Sequence, residues 1–94
     1  MKTYVWDSEK NEWLRRERGI SFEDVIFHIE AGDAIEIFEH PNQAKHPGQR
    51  VIVVCVEDYA YLVPYVENDD DEVILKTIIP SRKATKKYLG KRNE

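Results

Sequence analysis

The spacing of apolar and polar residues predicts helices in the first third of the chain. Residues 3–6 form a short β-type run, and Asp7-Ser8 then supplies capping side chains for a helix over residues 8–18 that ends at Gly19. The inner side of this helix is marked by two apolar residues, Trp13 and Leu14. We expect both tryptophans of the chain, Trp6 and Trp13, to pack in the core.

A second helix follows at once. Ser21 caps it, Glu23 and Asp24 lie in its first turn, where the helix dipole favours carboxylates, and Gly32 ends it. Its apolar stripe has helical spacing and consists of Phe22, Val25, Ile26 and Ile29. The two helices therefore form a predicted αα-hairpin.

The middle of the chain has the period of strands. Residues 34–39 alternate like a half-buried strand, and the prolines and glycine of residues 40–48 indicate a loop. Three β-rich runs follow at residues 50–56, 59–66 and 72–79, and their short connections predict an antiparallel meander. Because proline lacks the N–H group of a central strand residue, we expect a sheet edge or a bulge at Pro64.

The chain ends in a third predicted helix. Ser81 caps it, and it extends from Arg82 to about Leu89 with Ala84 and Tyr88 on its inner side. The order β-α-α-β-β-β-β-α predicts an α+β fold: an antiparallel sheet, the helical hairpin on one face, and the C-terminal helix at the sheet's edge or back. The 94 residues fit one domain, 1–94, with a loose basic tail at its end.

Charge is distributed unevenly along the chain. Residues 76–94 hold seven basic side chains and one carboxylate, whereas residues 1–75 hold seven basic and seventeen acidic ones. A cationic segment on an acidic protein attracts phosphate backbones through its local field. A solvated C-terminal helix explains the same composition, so both interpretations stay open.

Several classes of protein are excluded or disfavoured. No apolar run approaches the roughly 18 residues that span a bilayer, and the N-terminal residues lack the apolar core of a signal peptide, so we expect a cytoplasmic protein. A single cysteine, Cys55, precludes an internal disulfide, and its apolar neighbours favour a buried thiol. His40 and His46 share a loop but lack a second cluster of ligands, so we predict no metal site.

Four ordered motifs resemble the BrnT-type toxins, small ribonuclease toxins of type II toxin–antitoxin systems with a RelE-like fold. The motifs are Tyr4-Val5-Trp6-Asp7 with Lys10-Asn11, the run from Glu17 to Asp24, Gln49-Arg50, and Ile78-Ile79-Pro80-Ser81-Arg82-Lys83-Ala84-Thr85 with Tyr88. The resemblance covers residues 4–88. It implies a RelE-like α+β fold, cleavage of RNA without a cofactor, and neutralisation by a small ribbon-helix-helix antitoxin encoded by an adjacent gene. That antitoxin would bind DNA, so the toxin would meet DNA only through the complex.

Cleavage of this kind uses the ribose 2′-hydroxyl as nucleophile and needs cations near the phosphate. Matching positions make Arg50 and Arg82 the first catalytic candidates, because a guanidinium can hold two phosphate oxygens. Lys86 joins them, since it lies one helical turn after Arg82. An ion pair of Arg50 with Glu39 or Glu57 is the open alternative for Arg50.

The remaining candidates would bind RNA rather than cleave it: Lys10, Lys76, Lys83, Lys87 and Tyr61. Tyr59, Tyr61 and Tyr65 alternate onto one sheet face, where they would either stack on bases or lie under the helical hairpin. The strand that ends Tyr65-Val66-Glu67 lacks a basic residue often found there in the family. A second hypothesis is therefore a catalytically inactive toxin-fold protein that binds a partner.

Overall fold

The computed structural model describes residues 2–90, and these form three helices and a six-stranded sheet. The elements are β1 (Thr3–Val5), α1 (Ser8–Arg18), α2 (Phe22–Glu30), β2 (Ala34–Glu39), β3 (Arg50–Val56), β4 (Tyr59–Glu67), β5 (Glu72–Leu75), β6 (Ile79–Pro80) and α3 (Arg82–Leu89). The predicted α+β class is confirmed. The predicted basic tail at residues 91–94 lies outside the described part of the chain.

The helical hairpin forms where the sequence predicts it, and its ends have the expected caps. Asp7 accepts a hydrogen bond from the Glu9 N–H at the start of α1, and Gly19 ends that helix with φ 67°. Ser21 and Asp24 form a reciprocal capping box at the start of α2. The connection between the two short helices is therefore the short segment from Gly19 to the Ser21 cap.

A buried amide connects the two helices of the hairpin. The Asn11 Oδ1 accepts a hydrogen bond from the Phe22 N–H at 2.7 Å, and the Asn11 Nδ2 donates to the Glu23 Oε1 at 2.7 Å. The bond to Asn11, followed by a backbone bond and the nearby Arg15 charge, lowers the pKa of Glu23. Asn11 therefore fixes the start of α2 against α1.

The strand order is β1-β5-β4-β3-β2, with β6 paired to β4. The predicted meander of β3, β4 and β5 is confirmed, but a wholly antiparallel sheet is wrong, because β1 pairs in parallel with β5. Hydrophobic periodicity carries no information about strand direction, so the parallel pairing of β1 with β5 could not be predicted from the sequence.

The third strand of the meander is interrupted. It was expected over residues 72–79, yet β5 ends at Leu75 and pairing resumes only at β6. Between them Ile78 turns into the core, and its carbonyl accepts a hydrogen bond from the Arg18 side chain. The interruption lies opposite Pro64, whose carbonyl accepts from the Lys76 N–H but whose ring nitrogen has nothing to donate. β4 itself passes through Pro64 in unbroken register with β3, so the edge or bulge expected in this strand does not form; the extra residue lies in the facing segment 76–78.

The two faces of the sheet carry separate cores. The larger lies under the helical hairpin and contains Leu14, Phe22 and Val25 with strand residues that include Ile52, Val54, Val63 and Tyr65. The smaller lies under α3 and contains Val53, Ala60, Ala84 and Leu89. The C-terminal helix thus covers the back of the sheet, one of the two positions expected for it, and the structure has three layers.

Three burial predictions fail. Trp13 is 38% exposed and lies beneath the Lys10 and Arg18 cations, while Trp6 packs beside Phe22 as expected. Every residue of β2 is exposed, because β2 is an edge strand that neither α2 nor α3 covers fully. Cys55 is only half-buried, at the margin of the smaller core.

Candidate nucleic-acid interface

α3 is anchored to β4 by its first turn. The Ser81 N–H donates to the Ala60 carbonyl at 3.0 Å, and the Thr85 Oγ1 accepts from the Ala60 N–H at 2.9 Å. The Ser81 Oγ caps the helix by accepting from the Ala84 N–H at 3.0 Å. With Ala84 and Leu89 buried against the sheet, the orientation of α3 is determined and its polar side faces solvent.

Four basic side chains cover that polar side: Arg82, Lys83, Lys86 and Lys87. All four are exposed, and none forms an ion pair with any residue between 2 and 90. They form two pairs spaced by one helical turn, Arg82 with Lys86 and Lys83 with Lys87. We call these four residues the α3 cations. No carboxylate of residues 2–90 lies within ion-pair distance of them, in contrast to Lys2 and Arg15, which contact carboxylates.

A groove of about 210 Å³ lies between α3 and the edge strand β2. Its walls are aromatic and cationic, and its floor is aliphatic: Phe38, Tyr88, Lys83, Lys87, Ser81, Ala84, Val53 and Leu62. Phe38 pairs with Val51 in the sheet and is 38% exposed. We call this depression the β2–α3 groove. It combines an exposed aromatic ring with two of the α3 cations.

One carboxylate lies at the groove. Glu36 pairs with Val53, so its side chain shares the α3 face of the sheet with Phe38. The Tyr88 hydroxyl donates a hydrogen bond to the Glu36 Oε2 at 3.2 Å, and the Lys87 Nζ lies 5.1 Å from the centre of the Tyr88 ring. This side of the sheet therefore offers cations, aromatic rings and one hydrogen-bond acceptor.

Arg50 lies elsewhere, so the expected catalytic trio is not brought together. Arg50 pairs with Tyr65, which faces the helical hairpin, whereas Arg82 and Lys86 lie on α3 behind the sheet. Its surroundings are Gly48, Tyr65 and Glu67. No ion pair with Glu39 or Glu57 forms between described residues either. Arg50 therefore lies on the opposite face of the sheet from Arg82 and Lys86, and the three residues do not form one cluster.

Two of the RNA-binding candidates also lie away from α3. Lys10 is on α1 against the Trp13 ring, on the hairpin side of the sheet. Tyr61 lies in a small depression with Asp24, His28 and Glu57, a poor place for phosphate. Burial, followed by the charges of Tyr59 and Glu57, raises the pKa of Tyr61. Lys83 and Lys87 are the candidates that the structure places together.

Two further candidates, Tyr65 for stacking and Lys76 for charge, have clear positions in the structure. Tyr65 is buried in the larger core, so it cannot stack on a base. Lys76 is exposed just after β5, where its N–H group bonds to Pro64. The sequence analysis did not select Phe38 and Glu36. Residues 34–39 alternate like a half-buried strand, and this pattern does not reveal that every residue of β2 is exposed at the edge of the sheet.

The histidines form contacts of their own. The His28 Nδ1 lies 2.8 Å from the Asp33 Oδ2, and the rings of His40 and His46 have centres 4.2 Å apart. Among residues 2–90, no group of three or more His, Cys, Asp or Glu side chains is arranged to hold a metal ion. Within the same range, none of the helices has the length and apolar character needed to cross a membrane.

No protein-family model, curated protein or solved structure matched the chain. Its function is therefore inferred from the side chains of α3 and from the groove beside them.

Proposed function

We propose that the protein binds RNA through α3 and acts as a ribonuclease toxin of a type II toxin–antitoxin system. The observation that supports this proposal is the set of four exposed α3 cations without ion-pair partners in residues 2–90, on a chain whose net charge is −4. Side chains that bear unneutralised charge on one rigid helix attract a polyanion at close range. The resemblance of four sequence motifs to BrnT-type toxins directs the choice toward RNA.

The proposed reaction is an intramolecular transesterification of the RNA backbone at phosphorus. The ribose 2′-oxygen attacks the adjacent phosphorus and loses its proton, the bond from phosphorus to the 5′-oxygen breaks, and that oxygen takes up a proton. The products are a 2′,3′-cyclic phosphate and a 5′-hydroxyl. Arg82 and Lys86, one turn apart, would hold the phosphate and stabilise the charge of the transition state. Arg50 has no part in this step, since it lies across the sheet.

A ribbon-helix-helix antitoxin would neutralise the activity by covering α3. Such a partner would compete with RNA for the same cations, and it would carry the complex to DNA. The fold class is compatible with this role, and the RelE-like arrangement of strands is part of the proposal.

The test is a cleavage assay with purified protein and a growth assay on expression without an antitoxin. The double variant R82A/K86A is expected to lose both effects, while R16A/K45A, which removes the same charge from exposed positions elsewhere, should retain them. Absence of cleavage by the wild-type protein, together with normal growth, would refute the ribonuclease proposal.

One observation favours a second candidate, a catalytically inactive module that binds a partner. The edge strand β2 exposes Ile35, Ile37 and Phe38 along a row of unpaired backbone groups, a surface that can accept another strand. Co-purification with a ribbon-helix-helix protein encoded by the neighbouring gene, without any RNA cleavage, would select this candidate.

A further inference from the structure

We propose that the β2–α3 groove is a nucleobase subsite for single-stranded RNA, in which a base stacks on Phe38 and presents an amino group to Glu36. This inference rests on the proposed RNA binding by α3 and names what the neighbouring groove would recognise. Its occupant is one nucleotide of an unpaired strand whose phosphates contact the α3 cations.

The groove has the components that single-strand binding requires. Proteins that bind single strands combine a cationic track for the backbone with aromatic rings on which bases stack. Lys83 and Lys87 line the groove together with Phe38 and Tyr88. Phe38 is 38% exposed although its neighbours on β3 are buried, so part of this residue is open to solvent in the same groove that Lys83 and Lys87 line.

Paired bases do not fit this arrangement. A base inside a duplex is already stacked on both faces, and its phosphates lie on the outside of the helix. The ring of Phe38 stands beside α3 on the sheet, so a base must leave its stack to reach it. The occupant is therefore unpaired RNA, a loop or a free end.

Glu36 adds chemical selectivity to the subsite. It lies two residues before Phe38 on the same strand face, about 6.5 Å along the strand, within reach of the edge of a base stacked on Phe38. Tyr88 holds its Oε2, and the Oε1 accepts no hydrogen bond from residues 2–90. A carboxylate only accepts, so it favours the exocyclic amino group of a base such as cytosine. Uracil has one edge N–H, which lies between two carbonyl oxygens that repel a carboxylate.

The experiment measures binding of fluorescent 2′-O-methyl oligocytidine and oligouridine of about eight nucleotides, which cannot react through the 2′-hydroxyl. Cytosine and uracil have rings of equal size, so stacking alone does not separate them. We expect oligocytidine to bind about tenfold more tightly. A blunt, fully paired duplex of the same strand length, which has no loop, should bind more weakly than either.

Matched variants on one strand separate the two components. F38L should weaken binding of both oligonucleotides about tenfold, and F38Y should retain it, because a tyrosine ring also stacks. E36Q should abolish the preference for cytosine. The controls I37A and E39Q alter neighbouring positions that face the helical hairpin, since Ile37 pairs with Ile52 and Glu39 with Arg50, and both should bind like wild type.

The outcomes distinguish the groove from the proposed function. If R82A/K86A weakens binding while F38L and E36Q match wild type, RNA binding stands and the nucleobase subsite is overturned. The subsite is overturned as well if F38L releases a protein partner and leaves RNA binding unchanged. If the wild-type chain binds neither oligonucleotide at low salt, the proposed RNA binding fails, and the subsite fails with it.

Discussion

The number of α3 cations predicts how strongly salt weakens RNA binding. The perturbation is K83A/K87A, which removes one of the two pairs of cations on α3 and leaves the buried residues Ala84 and Leu89 unchanged. Because the two lysines are exposed and form no ion pair within residues 2–90, their removal should change charge without disturbing the buried core under α3.

The magnitude follows from counterion release. Each phosphate contact with a single strand contributes about −0.7 to the slope of log K against log salt concentration, so four cations give about −2.8. Between about 50 and 200 mM salt the affinity should therefore fall about 50-fold for the wild-type protein and only about 7-fold for K83A/K87A.

Fluorescence anisotropy at several salt concentrations measures both slopes. The control R16A/K45A removes two exposed cations that lie on α1 and in the loop before β3, and its slope should equal that of the wild type. Equal slopes for K83A/K87A and the wild type would refute phosphate binding by this pair. A reduced slope for the control would locate the contacts on another surface.

Three further predictions concern the helical hairpin that supports the sheet. N11A removes two hydrogen bonds and leaves the Phe22 N–H unsatisfied, so urea unfolding should show a loss of about 2 kcal/mol; a change below about 0.5 kcal/mol would contradict the role of this amide. G19A forces an alanine to φ 67°, although no atom lies within 4 Å of the new methyl group, so it should cost about 1 kcal/mol through backbone strain alone. The pKa of Glu23 is lowered in the folded state, so the stability that its carboxylate contributes is present above the ordinary glutamate pKa of 4.5 and is lost as pH falls through the folded-state pKa. The variant E23Q should therefore flatten that part of the curve of unfolding free energy against pH. An unchanged curve would contradict the assignment.

The local elements could be predicted from the sequence because their determinants are local. Capping by Asp7, Ser21 and Ser81 and the ends marked by glycine locate the three helices within a residue or two. The residues Glu57 and Asp58 form a two-residue hairpin with positive φ, which explains the tight turn between β3 and β4.

The candidate site was predicted only in part, because its composition depends on which residues share a face of the sheet. Arg82 and Lys86 could be paired from helical spacing alone. Arg50 could not be separated from them without knowing that even-numbered residues of β3 face the hairpin. Likewise, Glu36 and Phe38 become relevant only because β2 ends the sheet beside α3, a fact of strand order.

The parallel pairing of β1 with β5 has a consequence for the order of folding. Residues 3–5 pair with residues 72–74, so the chain between residues 5 and 72 must form a closed loop before this contact exists. The β3–β4 hairpin, closed by two residues, has no such delay. During synthesis, β1 is therefore expected to join the sheet later than β3 and β4, after β5 has left the ribosome.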